Sequence, residues 1–213
     1  MADPRPRPSV PGRGWFIAFE GGEGCGKSTQ ARRLSDELGA VLTREPGGTE
    51  VGARLRAILL DPETTGLGPR AEALLMAADR AQHVREVVEP ALAAGRHVVT
   101  DRFAGSSIAY QGHGRGLDPG EVRRLSEWAC DGTWPDLVVL LDLAPGVAAG
   151  RIGSRPDRFE EEGAEFHARV AAGFRAQADA EPERWVVVDA SGSVAEVAVA
   201  VHAAVAERLQ LAT

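Results

Sequence analysis

The run Gly21-Gly22-Glu23-Gly24-Cys25-Gly26-Lys27-Ser28 constrains this chain more than any other feature. It spaces a glycine, four residues and Gly-Lys-Ser between an apolar stretch, Trp15–Glu20, and a helical pattern, Ser28–Leu38. Glycines in such a turn let the backbone curl until successive N–H groups point at one anion. The helix that follows turns its positive end to the same place. A lysine at position 27 suits the β- and γ-phosphates of a nucleotide, and a hydroxyl at Ser28 suits Mg²⁺. Lys27 is also the only lysine; every other basic residue is arginine. A turn that merely needs glycine does not account for the full spacing. Gly21, Gly22, Glu23, Gly24, Cys25, Gly26, Lys27, Ser28 and Thr29 are therefore the candidate nucleotide-binding residues. Cys25 fills a variable position as a small side chain that fits.

Apolar, β-branched runs alternate with longer helical patterns along the rest of the chain, the order of a parallel α/β domain. Strands are expected at Trp15–Glu20, Ala40–Thr43, His97–Asp101, Leu137–Asp142 and Trp185–Asp189. Helices are expected near Ser28–Leu38, Thr49–Leu60, Arg70–Ala94, Pro119–Cys130, Glu160–Ala180 and Val194–Leu211, with Pro90 kinking or shortening the long third one. The fold class is α/β: a five-stranded parallel sheet flanked by helices on both faces, a P-loop NTPase fold with a short lid. In such a sheet ligands gather at the carboxyl ends of the strands.

The length of 213 residues suits one domain. Residues 15–213 are assigned to it, and the first 14 residues, with four prolines, three arginines and no apolar run, read as a disordered tail. That tail lacks the apolar middle of a secretory signal, and no apolar run approaches the length of a membrane span, so a cytoplasmic protein is expected. A net charge of −7 argues against a general affinity for nucleic-acid backbones. Two distant cysteines, Cys25 and Cys130, match no metal spacing and read as free thiols.

A guanine-reading switch needs a lysine in its base-recognition motif, and none is available beyond Lys27. A kinase whose acceptor is a phosphate instead needs arginines at a second site. Such candidates follow the next strands: Thr43-Arg44-Glu45-Pro46-Gly47-Gly48-Thr49, Asp101-Arg102-Phe103, and Ser106-Ser107-Ile108-Ala109-Tyr110-Gln111-Gly112. With the glycine loop they closely resemble, in order and spacing, the thymidylate kinases, over Phe16 to about Asp189.

The resemblance implies ATP and Mg²⁺ as donor and cofactor, dTMP as the small-molecule substrate, and a homodimer through the helices before and after Asp101. It implies that Glu23 holds the sugar hydroxyl and that Arg44 and Arg102 clamp the monophosphate, where planar forks fit its oxygens. Asp101 joins Ser28 as a metal-site candidate, with Asp142 a competing strand-end carboxylate. Tyr110, the only tyrosine, matches the ring that excludes a 2′-hydroxyl. Ser107 and Gln111 fall near the base, and Ser106 is a further substrate-binding candidate. Arg80 matches an arginine that bonds the thymine carbonyl, its alternative being a solvated helix face. Met76 stands where the family commonly has a phenylalanine stacked on thymine, which implies a looser base pocket.

The run Arg151-Ile152-Gly153-Ser154-Arg155-Pro156-Asp157-Arg158-Phe159 marks the lid, about residues 151–160. Its alternative is a charged loop paired to Glu160, Glu161 and Glu162. The family carries a catalytic arginine either in the glycine loop or in the lid, and the glycine loop here has none. The resemblance therefore implies that Arg151, Arg155 or Arg158 joins Lys27 and Arg102 in neutralising the moving phosphoryl group, with Asp101 positioning Mg²⁺ and the acceptor phosphate. Two other readings stay open: a broader deoxynucleotide kinase that accepts dUMP, and, more distantly, an ATPase switch.

Overall fold

The computed structural model describes residues 12–144 and 157–210. Five strands lie in one sheet: β1 (Phe16–Glu20), β2 (Val41–Arg44), β3 (Val98–Asp101), β4 (Leu137–Asp142) and β5 (Trp185–Asp189). All pairings are parallel, in the order β2-β3-β1-β4-β5. Each strand falls within a residue of its expected bounds, because five short β-branched or aromatic runs have nowhere to bury themselves except a sheet covered on both faces. The central strand β1 is buried at all five positions, whereas the edge strand β2 is only partly covered.

Alternate residues feed two separate cores. Phe16, Ala18, Val98, Val138 and Leu140 point to one, Ile17, Phe19, Val99, Leu137, Val139 and Leu141 to the other. The second core is closed by α1 (Lys27–Leu38) and by α8 (Val194–Leu209). The first is covered by α3 (Pro69–His83) and α5 (Ala104–Ser107), which also line the site, and by α6 (Pro119–Cys130) and α7 (Ala164–Ala180). Between β2 and α3 runs α2 (Glu50–Leu60), capped by Thr49, whose hydroxyl accepts from the Gly52 N–H.

The sheet reverses its strand order between β1 and β3. That brings their carboxyl ends side by side, Phe19 in register with Asp101, and opens a crevice there. The crevice is where the site lies.

Two elements differ from the expectation. The helix that holds Pro90 is not one continuous α-helix. It passes from α3 through a π turn, Val84–Val88, into α4 (Glu89–Ala93). The Glu89 N–H bonds to the Val84 carbonyl five residues back, which widens the turn just before a residue that has no N–H to give. The second difference is α5 with its π continuation Ile108–Gly114, a stretch expected to carry binding residues but not to be helical. Its glycines and serines hide it. Gly105 is required by contact, since a Cβ there would stand 2.8 Å from Glu20 Oε1 and 2.9 Å from the Trp185 ring.

Within the first 14 residues, read as a tail, Arg13 and Gly14 are held: Arg13 pairs with Asp136 at 2.9 Å and the Gly14 N–H donates to the Leu92 carbonyl. Residues 1–11 lie outside the described part. Among the described residues no helix is long and apolar enough to cross a membrane.

Candidate active site

The loop from Gly21 to Gly26 joins β1 to α1, and Gly26 caps the helix at φ 91°, a left-handed turn that a side chain would strain. Lys27 curls back over the loop, with Nζ donating to the Gly22 carbonyl at 2.6 Å, 3.5 Å from the Cys25 sulfur. This is the folded-back posture of a cation waiting above a nest of N–H groups. Ser28 Oγ donates to Asp101 Oδ2 at 2.5 Å across the β1–β3 crevice. The other oxygen, Oδ1, is buried without a hydrogen-bond partner. A hydroxyl beside a carboxylate with a free buried oxygen fits a hard, oxygen-seeking cation such as Mg²⁺.

Beside the loop opens a cavity of about 430 Å³. Its wall includes Glu23, Gly24, Gly26, Lys27, Ser28, Thr29, Arg44, Met76, Arg80, Asp101, Arg102, Ser106, Ser107, Tyr110 and Gln111. Gly21, Gly22 and Cys25 are not part of that wall, but Gly21 and Gly22 take part through their carbonyls. So one cavity gathers residues that are far apart in the chain.

Arg102 organises its centre. Its backbone is left-handed, φ 70°, in a residue that is not glycine, a conformation that costs energy and persists only when its surroundings hold it. They do. One guanidinium nitrogen donates to the Gly21 carbonyl and Ser106 Oγ, both at 3.1 Å; the other donates to Glu23 at 2.5 Å and to the Tyr110 hydroxyl at 3.3 Å. Tyr110 in turn donates to Glu23 at 2.6 Å. Burial pushes the Glu23 carboxyl up, but the Arg102 and Lys27 charges outweigh it and hold it at about 2. Glu23 is therefore an anion at any working pH.

Beneath this triad lies Glu20, 1% exposed, which sequence reasoning missed because it reads as the end of a strand. Its oxygens accept from the Phe103 N–H at 3.0 Å, the Ser106 N–H at 2.9 Å and the Ser106 hydroxyl at 2.6 Å. Burial raises its carboxyl to about 7, against the hydrogen bonds and Arg102 that favour the charge.

Arg80 is not on a solvated face. It is 2% exposed, donates to Glu45 and Ser107 at 2.9 Å and to Ser126 at 3.1 Å. Burial works against its charge, but Glu45, with Asp79 and Glu20 adding to it, outweighs that and raises its pKa. Glu45 also holds His83 at 2.9 Å, and His83 meets the Thr43 hydroxyl at 2.7 Å. Asp79, pushed up to about 6 by burial and by Glu45, accepts from the Gly47 N–H. This buried polar network fixes the loop after Arg44. Its Glu45, Asp79 and His83 were missed because each alone looks like an ordinary helix or turn residue.

Arg56 was missed as well. It lines the cavity from α2, bonded to the Pro46 carbonyl. Burial and the Arg44 guanidinium beside it lower its pKa. Arg44, Arg56 and Arg102, with Lys27 and Arg80 on the same cavity wall, repel each other and favour an anion among them.

Of the lid residues, Arg151 and Arg155 lie outside the described part. Asp157, Phe159 and Glu160 line the cavity, but Arg158 does not. It turns to Glu72, 2.6 Å away, and its Nε donates to the Leu59 carbonyl. Asp142 likewise stands apart, paired with Arg175 at 2.8 Å.

A phosphate-binding loop whose neighbouring cavity is walled by arginines defines a P-loop kinase with a phosphorylated acceptor. The family model for thymidylate kinase matches residues 19–201. The chain belongs to the thymidylate kinase family, and it transfers the γ-phosphoryl group of ATP to dTMP, giving dTDP. Similar proteins include the thymidylate kinase of Leifsonia xyli, 54% identical over 93% of this chain and 95% of that one. The thymidylate kinase of Solidesulfovibrio magneticus is 51% identical over 91% and 100% of the two chains. The crystal structure of the Ehrlichia chaffeensis thymidylate kinase superposes with a TM-score of 0.75 at 31% identity, covering 91% of this chain and 99% of that one.

Proposed function

We propose that dTMP lies in the arginine-walled cavity with its phosphate toward Lys27 and its base toward α3. Supporting this is the convergence of Arg44, Arg56 and Arg102 on one cavity beside the loop. Arg102 swings from its own triad or shares it with the acceptor phosphate, whose oxygens accept from the same fork. Glu23, held ionised, accepts from the 3′-hydroxyl. The Tyr110 ring, packed edge-on against Phe159 at 5.5 Å and Phe174 at 6.1 Å, cannot retreat from a 2′-hydroxyl. Arg80 and Ser107 read the base, and Met76, partly buried on the cavity wall, lies against it in place of an aromatic ring.

In the reaction an oxygen of the dTMP phosphate bonds to the γ-phosphorus as the bond to the β–γ bridging oxygen breaks, and ADP leaves. That oxygen is already ionised, so no general base is needed. Catalysis is positioning and charge neutralisation. Lys27 releases the Gly22 carbonyl to meet the β- and γ-phosphates. Ser28 and Asp101 would hold Mg²⁺, which would withdraw charge from the phosphates. Arg158 is committed to Glu72, so the further cation is assigned by sequence to Arg151 or Arg155. Replacing that one with alanine lowers kcat with little change in the KM of dTMP; an unchanged kcat in both variants contradicts the assignment.

Two further parts belong to this reading. The chain forms a homodimer through α3 and α6, which pack on each other and carry exposed apolar side chains, Leu74 at 57% and Trp128 at 81%. It works in the cytoplasm, where its two charged nucleotides are found.

The test is Asp101→Asn. It keeps the size of the side chain and removes the charge that favours a divalent ion. The Mg²⁺ concentration for half-maximal rate is expected to rise at least about tenfold, a loss near 1.4 kcal/mol, while the KM of dTMP changes little. An unaltered Mg²⁺ requirement would exclude Asp101 from the metal site.

A further inference from the structure

Glu72 has no part in the site described so far, yet its side chain is fully buried behind it. It lies in the first turn of α3. Its Oε1 accepts from Gln111 Nε2 at 2.8 Å and from Arg115 Nε at 3.3 Å; its Oε2 faces Arg158 Nη2 at 2.6 Å. Two guanidinium groups stand around this one carboxylate, and a carboxylate can only accept. The side-chain amide of Gln111, itself 1% exposed, therefore has to turn its NH₂ toward Glu72. Its oxygen, Oε1, is left buried with no hydrogen-bond partner, in a residue that lines the cavity. A buried acceptor without a donor is costly, and a ligand that brings a donor relieves it.

We propose that Glu72 is a specificity-setting positioning residue: by fixing the Gln111 amide it presents an acceptor to the base, and so selects a ring N–H over a ring nitrogen lone pair. This rests on the placement of the base in this cavity. Thymine carries a hydrogen at N3. Cytosine carries a lone pair there, which would meet the Gln111 oxygen acceptor to acceptor. The free amide of Gln111 could serve either base by turning over, since its oxygen and nitrogen ends are nearly the same size. Glu72 removes that choice.

Glu72→Gln tests this. An NH₂ must then take the place of one carboxylate oxygen. Opposite Arg158 it meets a guanidinium that has no acceptor to offer. Opposite Gln111 it meets Arg115 only at the longer distance of 3.3 Å and, at 2.8 Å, an amide that can turn over, and turning sends the Gln111 NH₂ into the cavity. The measurement is kcat/KM with dTMP and with the 5-methylcytosine deoxynucleotide, which differs from dTMP only at N3 and at the 4-substituent. The ratio between them is expected to fall at least about tenfold, the effect of one hydrogen bond set the wrong way. The KM of dTMP should rise and that of ATP stay the same. An unchanged ratio with both rates lowered together would overturn the proposal and leave Glu72 a structural residue. If the variant does not fold, the wild-type protein decides. With dTMP bound, the Gln111 side-chain amide protons should exchange slowly with solvent, as protons held on a buried carboxylate do; rapid exchange would overturn the proposal. A base elsewhere than in this cavity shows differently: dTMP would then leave the Gln111 resonances unshifted in wild type.

Discussion

Glu20 and Glu23 stand three residues apart and titrate in opposite directions, because burial prevails at Glu20 over its hydrogen bonds and Arg102, whereas at Glu23 the Arg102 and Lys27 charges, with hydrogen bonds from Tyr110 and Arg102, prevail over burial. For Glu20 the folded value, about 7, lies above the ordinary 4.5. The folded protein therefore binds that proton more tightly than the unfolded chain. Its contribution to stability is complete below pH 4.5 and is lost as pH rises through 7. The shift corresponds to a loss on the order of 3 kcal/mol. Glu20→Gln copies the protonated form and can accept the same two backbone N–H bonds. Urea unfolding from pH 5 to pH 8 is expected to show wild type falling steadily relative to this variant. A constant gap across that range would mean that Glu20 does not titrate there. Glu23, held at about 2, contributes stability above its ordinary value that disappears only in strong acid, so it does not shape the activity profile near neutrality.

At the scale of elements, the motifs were legible and the helical stretch that carries Ser106 to Gly112 was not. Strands β4 and β5 and helix α6 lie where periodicity puts them, since their apolar spacing has one interpretation. The stretch from Ala104 to Gly114 has the composition of a loop. It is helical because Glu20 caps its first N–H groups from below and Gly105 lets it settle on Trp185, both contacts between residues remote in sequence. For the same reason Arg102, Tyr110 and Ser106 could be picked out by their motif, whereas Glu20, Glu45, Arg56 and Glu72 could not. Their roles exist only once α2, α3 and the sheet have met. Met76 is the reverse case, visible in sequence and unremarkable in its packing. Helix α6 carries the test of assembly. Trp128 is 81% exposed, an unusual cost for so large an apolar side chain. Trp128→Glu is expected to convert a dimer into a monomer in sedimentation; a wild-type chain that sediments as a monomer would end the dimer reading.

Across the whole molecule, a chain of net charge −7 builds a local anion site. It does so by spending almost no lysine and by fixing its arginines on carboxylates. Arg80 is held by Glu45, Arg102 by Glu23, and Arg115 and Arg158 by Glu72. Arg44 and Arg56 line the cavity without such a carboxylate partner among the ion pairs of the described residues. The parallel sheet sets the donor loop at the end of β1 and the acceptor arginine at the end of β3, one strand apart, so transfer between two phosphates follows from the topology. The direct measurement is dTDP and ADP formation from Mg-ATP with dTMP, dUMP, dCMP, the ribonucleotide of thymine, or no acceptor. The account predicts turnover with dTMP well above every other acceptor, the ribonucleotide rejected at Tyr110, and almost no hydrolysis without an acceptor. ATP hydrolysis at the same rate whichever acceptor is present would contradict it.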